Sequence, residues 1–293
     1  MSVLLAGLCT VDVVQRVAEL PGPGEKTQSL SVETAAGGPA TNAAVAVAAL
    51  GGEAVLATVL GAHPLADLAR ADLAACGVRM LDLLPDHPEP PAVSAVTVRD
   101  HDGERTVVSH NAAAAPHLAD GVRALDFVRL ADKVRAVLVD GHHPELALAV
   151  AKWARGKGIP VVLDAGSWKP VLDELLPLVD IAACSAQFHA PGKGLLERGV
   201  PAVITTHGPD PVRWRTAEGS GEVPVPRVTA RDTLGAGDVW HGALAYGTGR
   251  FGTARSDLPE LIEFANEVAA ERVRHAGPRS WLAAVAEKGR GVR

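Results

Sequence analysis

Two glycines and a carboxylate close together make Asp232-Thr233-Leu234-Gly235-Ala236-Gly237-Asp238 the segment best suited to chemistry. The Gly-Ala-Gly runs into Val239-Trp240-His241-Gly242-Ala243-Leu244-Ala245, which predicts a turn opening a helix. The first amides of a helix have no intrahelical acceptor. With minimal side chains at Gly235, Ala236 and Gly237, an anion can approach them closely. The helix dipole adds positive potential at the same point. Asp238 then falls in the first turn, where it can take a proton from an attacking hydroxyl while the amides stabilise a migrating phosphoryl group. The chain has no Gly-x-x-x-x-Gly-Lys-Ser/Thr and no protein-kinase motif, so such a site would transfer phosphoryl groups without a Walker loop. Alone, the tripeptide would be an ordinary helix start capped by Asp232 or Thr233. The seven-residue string is more specific.

These residues need a scaffold, and the rest of the chain describes one. Short aliphatic runs alternate with longer helical segments, the pattern of a parallel sheet covered on both faces. Strands are predicted at 3–8, 54–60, 136–140, 160–164, 181–183 and 202–205. Helices are predicted at 40–50, 64–75, 144–157, 192–198, 236–247 and 258–275. The helix over 40–50 is almost entirely Ala, Val and Leu, which implies burial on most sides. Two stretches break the rhythm. Residues 11–33 are polar and contain Pro21-Gly22-Pro23-Gly24, while residues 92–110 alternate and turn at Asp102-Gly103, a hairpin signal. Together they predict a small antiparallel sheet projecting as a lid. The expected architecture is α/β: one domain over 1–293, a central mostly parallel sheet with helices on both faces, and a discontinuous lid from about 11–35 and 92–111.

Composition narrows the function classes. A formal net charge of −6 gives no electrostatic case for nucleic acid or an anionic membrane as partner. Three scattered cysteines fit neither a disulfide framework nor zinc spacing, and point to a reducing, cytoplasmic setting. The apolar run at 3–9 lacks a basic leader and reads as a buried strand, not a signal peptide. No apolar stretch reaches the ~20 residues that cross a bilayer. The histidines form no metal-ligand cluster, and no metal ligand is assigned. No Gly-x-Gly-x-x-Gly follows the first strand, which excludes a Rossmann dehydrogenase.

The string ending in Asp238 resembles the C-terminal signature of the ribokinase-like (PfkB) carbohydrate kinase family, in which the last Asp is the catalytic base. Gly37-Gly38-Pro39-Ala40-Thr41-Asn42 resembles the family's N-terminal Gly-Gly-x-x-x-Asn motif. The resemblance implies a ribokinase-like fold and ATP-dependent phosphorylation of a sugar hydroxyl, a primary one by preference. It implies an anion hole at Gly235, Ala236 and Gly237, and acceptor binding by Asp12, Gly37, Gly38, Asn42 and Asp140. Asn111, with Arg105 and His110, would add lid contacts. Thr206 and Gly208, in Thr205-Thr206-His207-Gly208, and Asn266 on the penultimate helix would meet the nucleotide. ATP and Mg2+ are the implied cofactors, and the family allows a monovalent cation such as K+ and a homodimer through the lid.

The chain also departs from the family. Where many members carry Asn-x-x-Glu, it has Ser185-Ala186-Gln187-Phe188. A second glycine expected after Gly208 is replaced near Pro211, and His63-Pro64-Leu65 resembles a shortened form of an acidic turn. Lys169 is a further candidate for ATP phosphates. The lost pair suggests a ketohexokinase-like branch and a ketose acceptor. Two other readings stay open: a nucleoside kinase, against which the scarcity of aromatics counts, and a non-catalytic sugar- or nucleotide-binding regulator.

Overall fold

The computed structural model describes residues 1–111, 118–127, 130, 133–252 and 257–291. The chain opens with β1 (Ser2–Ala6), β2 (Thr10–Val17), β3 (Ser31–Gly37) and α1 (Pro39–Ala49). It continues through β4 (Glu53–Thr58), α2 (Pro64–Ala75), β5 (Arg79–Asp82), β6 (Ala92–Arg99), β7 (Arg105–His110) and α3 (Ala119–Ala124). Next come β8 (Val134–Val139), α4 (Pro144–Gly156), β9 (Val161–Ala165), α5 (Leu172–Leu175), β10 (Ile181–Ser185) and β11 (Ala202–His207). The last elements are β12 (Asp210–Thr216), β13 (Ser220–Val223), α6 (Ala236–Phe251), α7 (Leu258–Val273) and α8 (Leu282–Gly291).

All five residues of β1 are buried. Val3 and Leu5 enter one apolar cluster, Leu4 and Ala6 another, so both faces of the sheet are covered. A strand with no solvated face has no polar positions to alternate, hence the continuous aliphatic run. The large sheet has the order β13-β12-β11-β10-β9-β8-β1-β4-β5. From β11 to β5 every neighbouring pair is parallel; β12 and β13 return antiparallel at one edge. Strand order reverses beside β1, and crevices at the carboxyl ends of such strands are where open α/β sheets bind ligands.

The second sheet has the order β3-β2-β6-β7. It is not wholly antiparallel as expected, because β2 and β6 pair parallel. A long crossover through α1, β4, α2 and β5 separates these two strands, and a parallel pair needs such a crossover. The β6–β7 hairpin is antiparallel and turns at Asp102-Gly103.

The helix predicted at 192–198 is only a single 3-10 turn, Leu196–Arg198. Gly192 and Gly194 weaken a helix there, and Arg198 instead donates to the carbonyls of Pro191 and Lys193. Strands β5, β12 and β13 and helix α8 went unpredicted. They carry short mixed patterns such as Arg79-Met80-Leu81-Asp82, without a long apolar run. Among the described residues, no helix is long and apolar enough to cross a membrane.

Candidate active site

Asn42 and Asp238 are 196 residues apart in sequence, yet the Asn42 Nδ2 donates to Asp238 Oδ2 at 2.9 Å. Each comes from the start of a helix, and the two helices lie side by side. Gly38, with φ 95°, turns the chain into α1; only glycine adopts that conformation freely. Gly235, at φ 69°, does the same for α6, leaving its Cα beside Asn42 and Asp238.

The turn at 235–238 is open to anions. Val239 N–H closes the first helical bond onto Gly235 O at 2.9 Å. Ala236 N–H reaches back to Thr233 O at a long 3.3 Å. The amides of Gly235, Gly237 and Asp238 have no acceptor among the described residues. Gly237 is exposed, and a Cβ there would meet nothing within 4 Å. Ala236 therefore differs from the expectation that all the amides of the turn are equally free.

Asp12, on β2, joins the same place. A Cβ at Gly37 would overlap its carboxylate, so the glycine makes the room Asp12 occupies. Thr10 Oγ1 donates to Asp12 Oδ1 at 2.5 Å. Burial raises the pKa of Asp12, and the charge of Asp238 raises it further, while Thr10 and Ser94 pull it down. Asn42, which bonds Asp238, lines one cavity with Asp12, so the two carboxylates stand around one crevice. Ser94 pairs with Ser109 at 3.0 Å, and Ser109 donates to Asn111 Oδ1 at 2.7 Å. A polar chain thus runs from Ser94, the register partner of Asp12, across β6 and β7 to Asn111, which is exposed. Asp12, Asn42, Gly235, Arg272 and Arg279 line one cavity of about 10 Å³, room for about one water.

Two expected ligand residues are committed elsewhere. Asp140 is 1% exposed, and its carboxylate accepts from the N–H groups of Leu8, Ala40 and His142 at 2.9, 3.3 and 2.9 Å. Burial opposes its charge, but the ring and N–H of His142 and the Leu8 N–H outweigh this and hold the carboxyl at about 2. It ties the segment after β1 to the start of α1. Asn266 is 2% exposed; its Oδ1 accepts from Trp240 Nε1 at 2.8 Å and its Nδ2 donates to Pro224 O at 3.1 Å. It pins α7 to α6 and to the segment after β13, rather than lying open to an adenine. Arg105 also finds a protein partner, donating to Thr233 Oγ1 at 2.8 Å.

Thr206 and Gly208 lie where β11 ends and turns into β12. Thr206 Oγ1 donates to Cys184 O at 3.4 Å, and Gly208 sits exposed in the turn. The missing second glycine is explained by the tightness of this turn: β12 starts at Asp210. His63 of the shortened turn caps α2, its Nδ1 accepting from Leu65 N–H at 3.2 Å. Lys169 Nζ stays exposed near Ser167.

Two buried carboxylates near the site have partners that sequence reasoning did not foresee. Asp164, on β9, lies 3.4 Å from His241 Nδ1, whose Nε2 donates to Ala183 O at 3.2 Å. Burial pushes Asp164 up to about 6 against the pull of His241, and Asp238 and Asp140 push the same way. Asp232 is wholly buried between Arg16 of β2 and Arg272 of α7. The only signal for these was position: an Asp at a strand end, and the first residue of the signature string.

A helix start with open amides, a carboxylate in its first turn and a second carboxylate across the crevice thus stand together on an α/β sheet, an arrangement suited to phosphoryl transfer. The model of the pfkB family carbohydrate kinases matches residues 2–284. An ATP-dependent ribose-1-phosphate kinase of Halopiger xanaduensis is 30% identical, over 95% of this chain and 94% of that protein. The ribokinase of Bacillus subtilis is 26% identical over 96% of both. A solved ribokinase of Arabidopsis thaliana, complexed with ribose and ATP, superposes with a TM-score of 0.73 at 21% identity, over 98% of both chains. The chain belongs to the pfkB family of carbohydrate kinases, and its fold is ribokinase-like.

Proposed function

We propose that the protein transfers the γ-phosphoryl group of ATP to a hydroxyl of a ribose-type sugar. Asp238 takes the proton of the attacking hydroxyl, held in place by Asn42. Asp12, Asn42 and the backbone at Gly37 and Gly38 hold the acceptor, and Asn111 at the end of the polar chain completes its surroundings when the second sheet closes as a lid. The amides of Gly235, Gly237 and Asp238 receive charge on the phosphoryl oxygens. Thr206 and Gly208, at the carboxyl end of β11, face the nucleotide. The observation that carries this reading is the 2.9 Å bond between Asn42 and Asp238, which joins both motifs at the mouth of the open turn.

Mg2+ would neutralise ATP phosphate charge when bound. The stretch in place of Asn-x-x-Glu does not fit a protein-held ion: Ser185 Oγ donates to Gly166 O and Phe188 packs on Trp168. Mg2+ then arrives on ATP itself. The two sequence relatives above are named as ribose-type kinases and lend the ketose expectation no support, so a pentose is the acceptor we favour. Strand β7 lies exposed along its length at one edge of the second sheet, Val107 and Val108 included, and offers a second copy an edge for a homodimer.

The test is ADP release with ribose, 2-deoxyribose, ribose 1-phosphate, fructose and adenosine, for wild type and Asp238→Asn. The variant should lose roughly 10²–10⁴-fold in turnover while keeping acceptor affinity, as removal of a general base does. Equal turnover in both proteins overturns the assignment. Adenosine as the best acceptor would make this a nucleoside kinase instead.

A further inference from the structure

Behind the open turn lies a cation that belongs to the chain. Arg272, 2% exposed, donates from Nη2 to Leu234 O at 2.8 Å and from Nη1 to His275 O at 2.9 Å. Leu234 is the residue before Gly235, so the guanidinium stands directly against the peptide that leads into the anion turn. Asp232, fully buried, faces the same group, with Arg272 Nη2 at 3.7 Å from its Oδ1. The remaining valences of that carboxylate are used as well. Leu234 N–H donates to Oδ1 at 2.9 Å, while Arg16 Nη2 and Gly277 N–H donate to Oδ2 at 3.1 and 2.9 Å.

Family resemblance allows a K+ ion, and the oxygens around this turn decide whether the chain can hold one. An alkali ion is bound by several backbone carbonyls and carboxylates that replace its hydration shell. Near the turn, the carbonyls of Leu234 and His275 are already acceptors for Arg272. Both oxygens of Asp232 are occupied, and Ala36 O and the Asp72 carboxylate on the neighbouring side are taken by Arg279. A K+ ion placed among these groups would also stand beside two guanidinium groups, buried Arg272 and half-buried Arg16, with little solvent to screen the repulsion. The residues do not fit the ion.

We propose that the Arg272 guanidinium is a built-in replacement for a monovalent cation, bracing the peptide that leads into the anion turn, and that this kinase works without K+. Arg272 acts as a positioning residue through Leu234 and Asp232 and touches no reacting atom. A guanidinium suits the task because it stays charged when buried and presents fixed, planar donors to several acceptors at once. The inference rests on the phosphoryl-transfer reading only for its kinetic arm.

The experiment has a kinetic and a binding arm. Turnover is compared in the chlorides of K+, Na+ and tetramethylammonium at equal ionic strength, and binding of Tl+, a K+ surrogate, is followed by its NMR signal together with the melting temperature. Wild type should show turnover equal within about two-fold, no saturable Tl+ site and no melting shift specific to K+. Arg272→Ala should lose at least about ten-fold in turnover, part of it restored by millimolar guanidinium or by K+. Arg272→Lys, which keeps the charge and forfeits one carbonyl, should fall between. Ten-fold activation of wild type by K+, or saturable Tl+ binding displaced by K+, overturns the proposal. Should Arg272→Ala not fold, the wild-type arms and Arg272→Lys still decide. If no acceptor is phosphorylated by any protein, the Tl+ and melting measurements decide the cation question independently of the kinase assignment.

Discussion

At the residue scale, the site is built from carboxylates whose surroundings assign them different tasks. Asp238 is open to the crevice and bonded by one amide side chain. Asp12 is half committed to Thr10 and Ser94, and Asp140 is taken up by three backbone N–H groups and the His142 ring. Asp164 is the outlier, because it is buried with a single imidazole neighbour. Its pKa stands at about 6, above the ordinary 3.8, so the folded protein holds this proton more tightly than the unfolded chain does. The stability this contributes is fully present below about 3.8 and is lost as pH rises through about 6. Asp164→Asn should therefore be more stable than wild type at pH 8, by about 1–3 kcal/mol. The advantage should shrink as pH falls from 7 to 4. Urea unfolding at pH 4, 6 and 8 reads this directly, and a pH-independent difference would exclude titration of Asp164 as its source. Asp238 and Asn42 were legible in the sequence because each closes a motif, and Asp12 because it follows the first buried strand. The fates of Asp140 and Asn266 were not, since nothing in a linear sequence says which backbone groups will exhaust a side chain's lone pairs.

At the element scale, the two motifs meet because α1 and α6 approach each other closely. Gly242 is the reason: a Cβ there would run into the carbonyl and Cα of Ala43. Ala43 follows Asn42, and Gly242 lies one turn beyond Asp238, so the contact that sets the helix separation also sets the bond between Asn42 and Asp238. Gly242→Val should force the helices apart and lower stability by about 1–3 kcal/mol, the usual cost of overpacking. Turnover should fall at least about ten-fold, since displacement of a positioned group by ~1 Å can cost more than that. A melting temperature and kcat both equal to wild type would show that the helix contact is not what sets the pair. The buried elements here were readable because a strand or helix covered on both sides is aliphatic throughout, as in β1 and α1. Edge elements were not: β12 and β13 expose alternate residues, and the segment at 192–198 carries glycines that only tertiary context resolves. The parallel pairing of β2 and β6 was equally hidden, because hairpin signals report only pairs adjacent in sequence.

At the scale of the whole molecule, the second sheet is held on the signature segment by contacts that a lid would make and break. Arg105 of β7 donates to Thr233 Oγ1, and Thr233 in turn donates to Gly103 O at 3.3 Å at the hairpin tip. Leu234 packs on the small cluster of Val14, Val96 and Val98. With these contacts formed, the hairpin tip rests on the segment that leads into Gly235, and as a lid the sheet would swing away there to admit a sugar. Closure would then exclude water, which competes with the sugar for the phosphoryl group. Arg105→Ala should weaken the closed state without touching Asp238. An exposed hydrogen bond of this kind is worth about 1 kcal/mol, which corresponds to roughly a five-fold shift in the ratio of closed to open states. The expected signature is a fall of about three- to ten-fold in kcat/KM for the sugar, together with a rise in the fraction of ATP hydrolysed per sugar phosphorylated. The ratio matters more than either rate. A variant that is slower in both reactions by the same factor has lost stability or nucleotide binding, and the second sheet would then be a fixed wall of the crevice and not a lid.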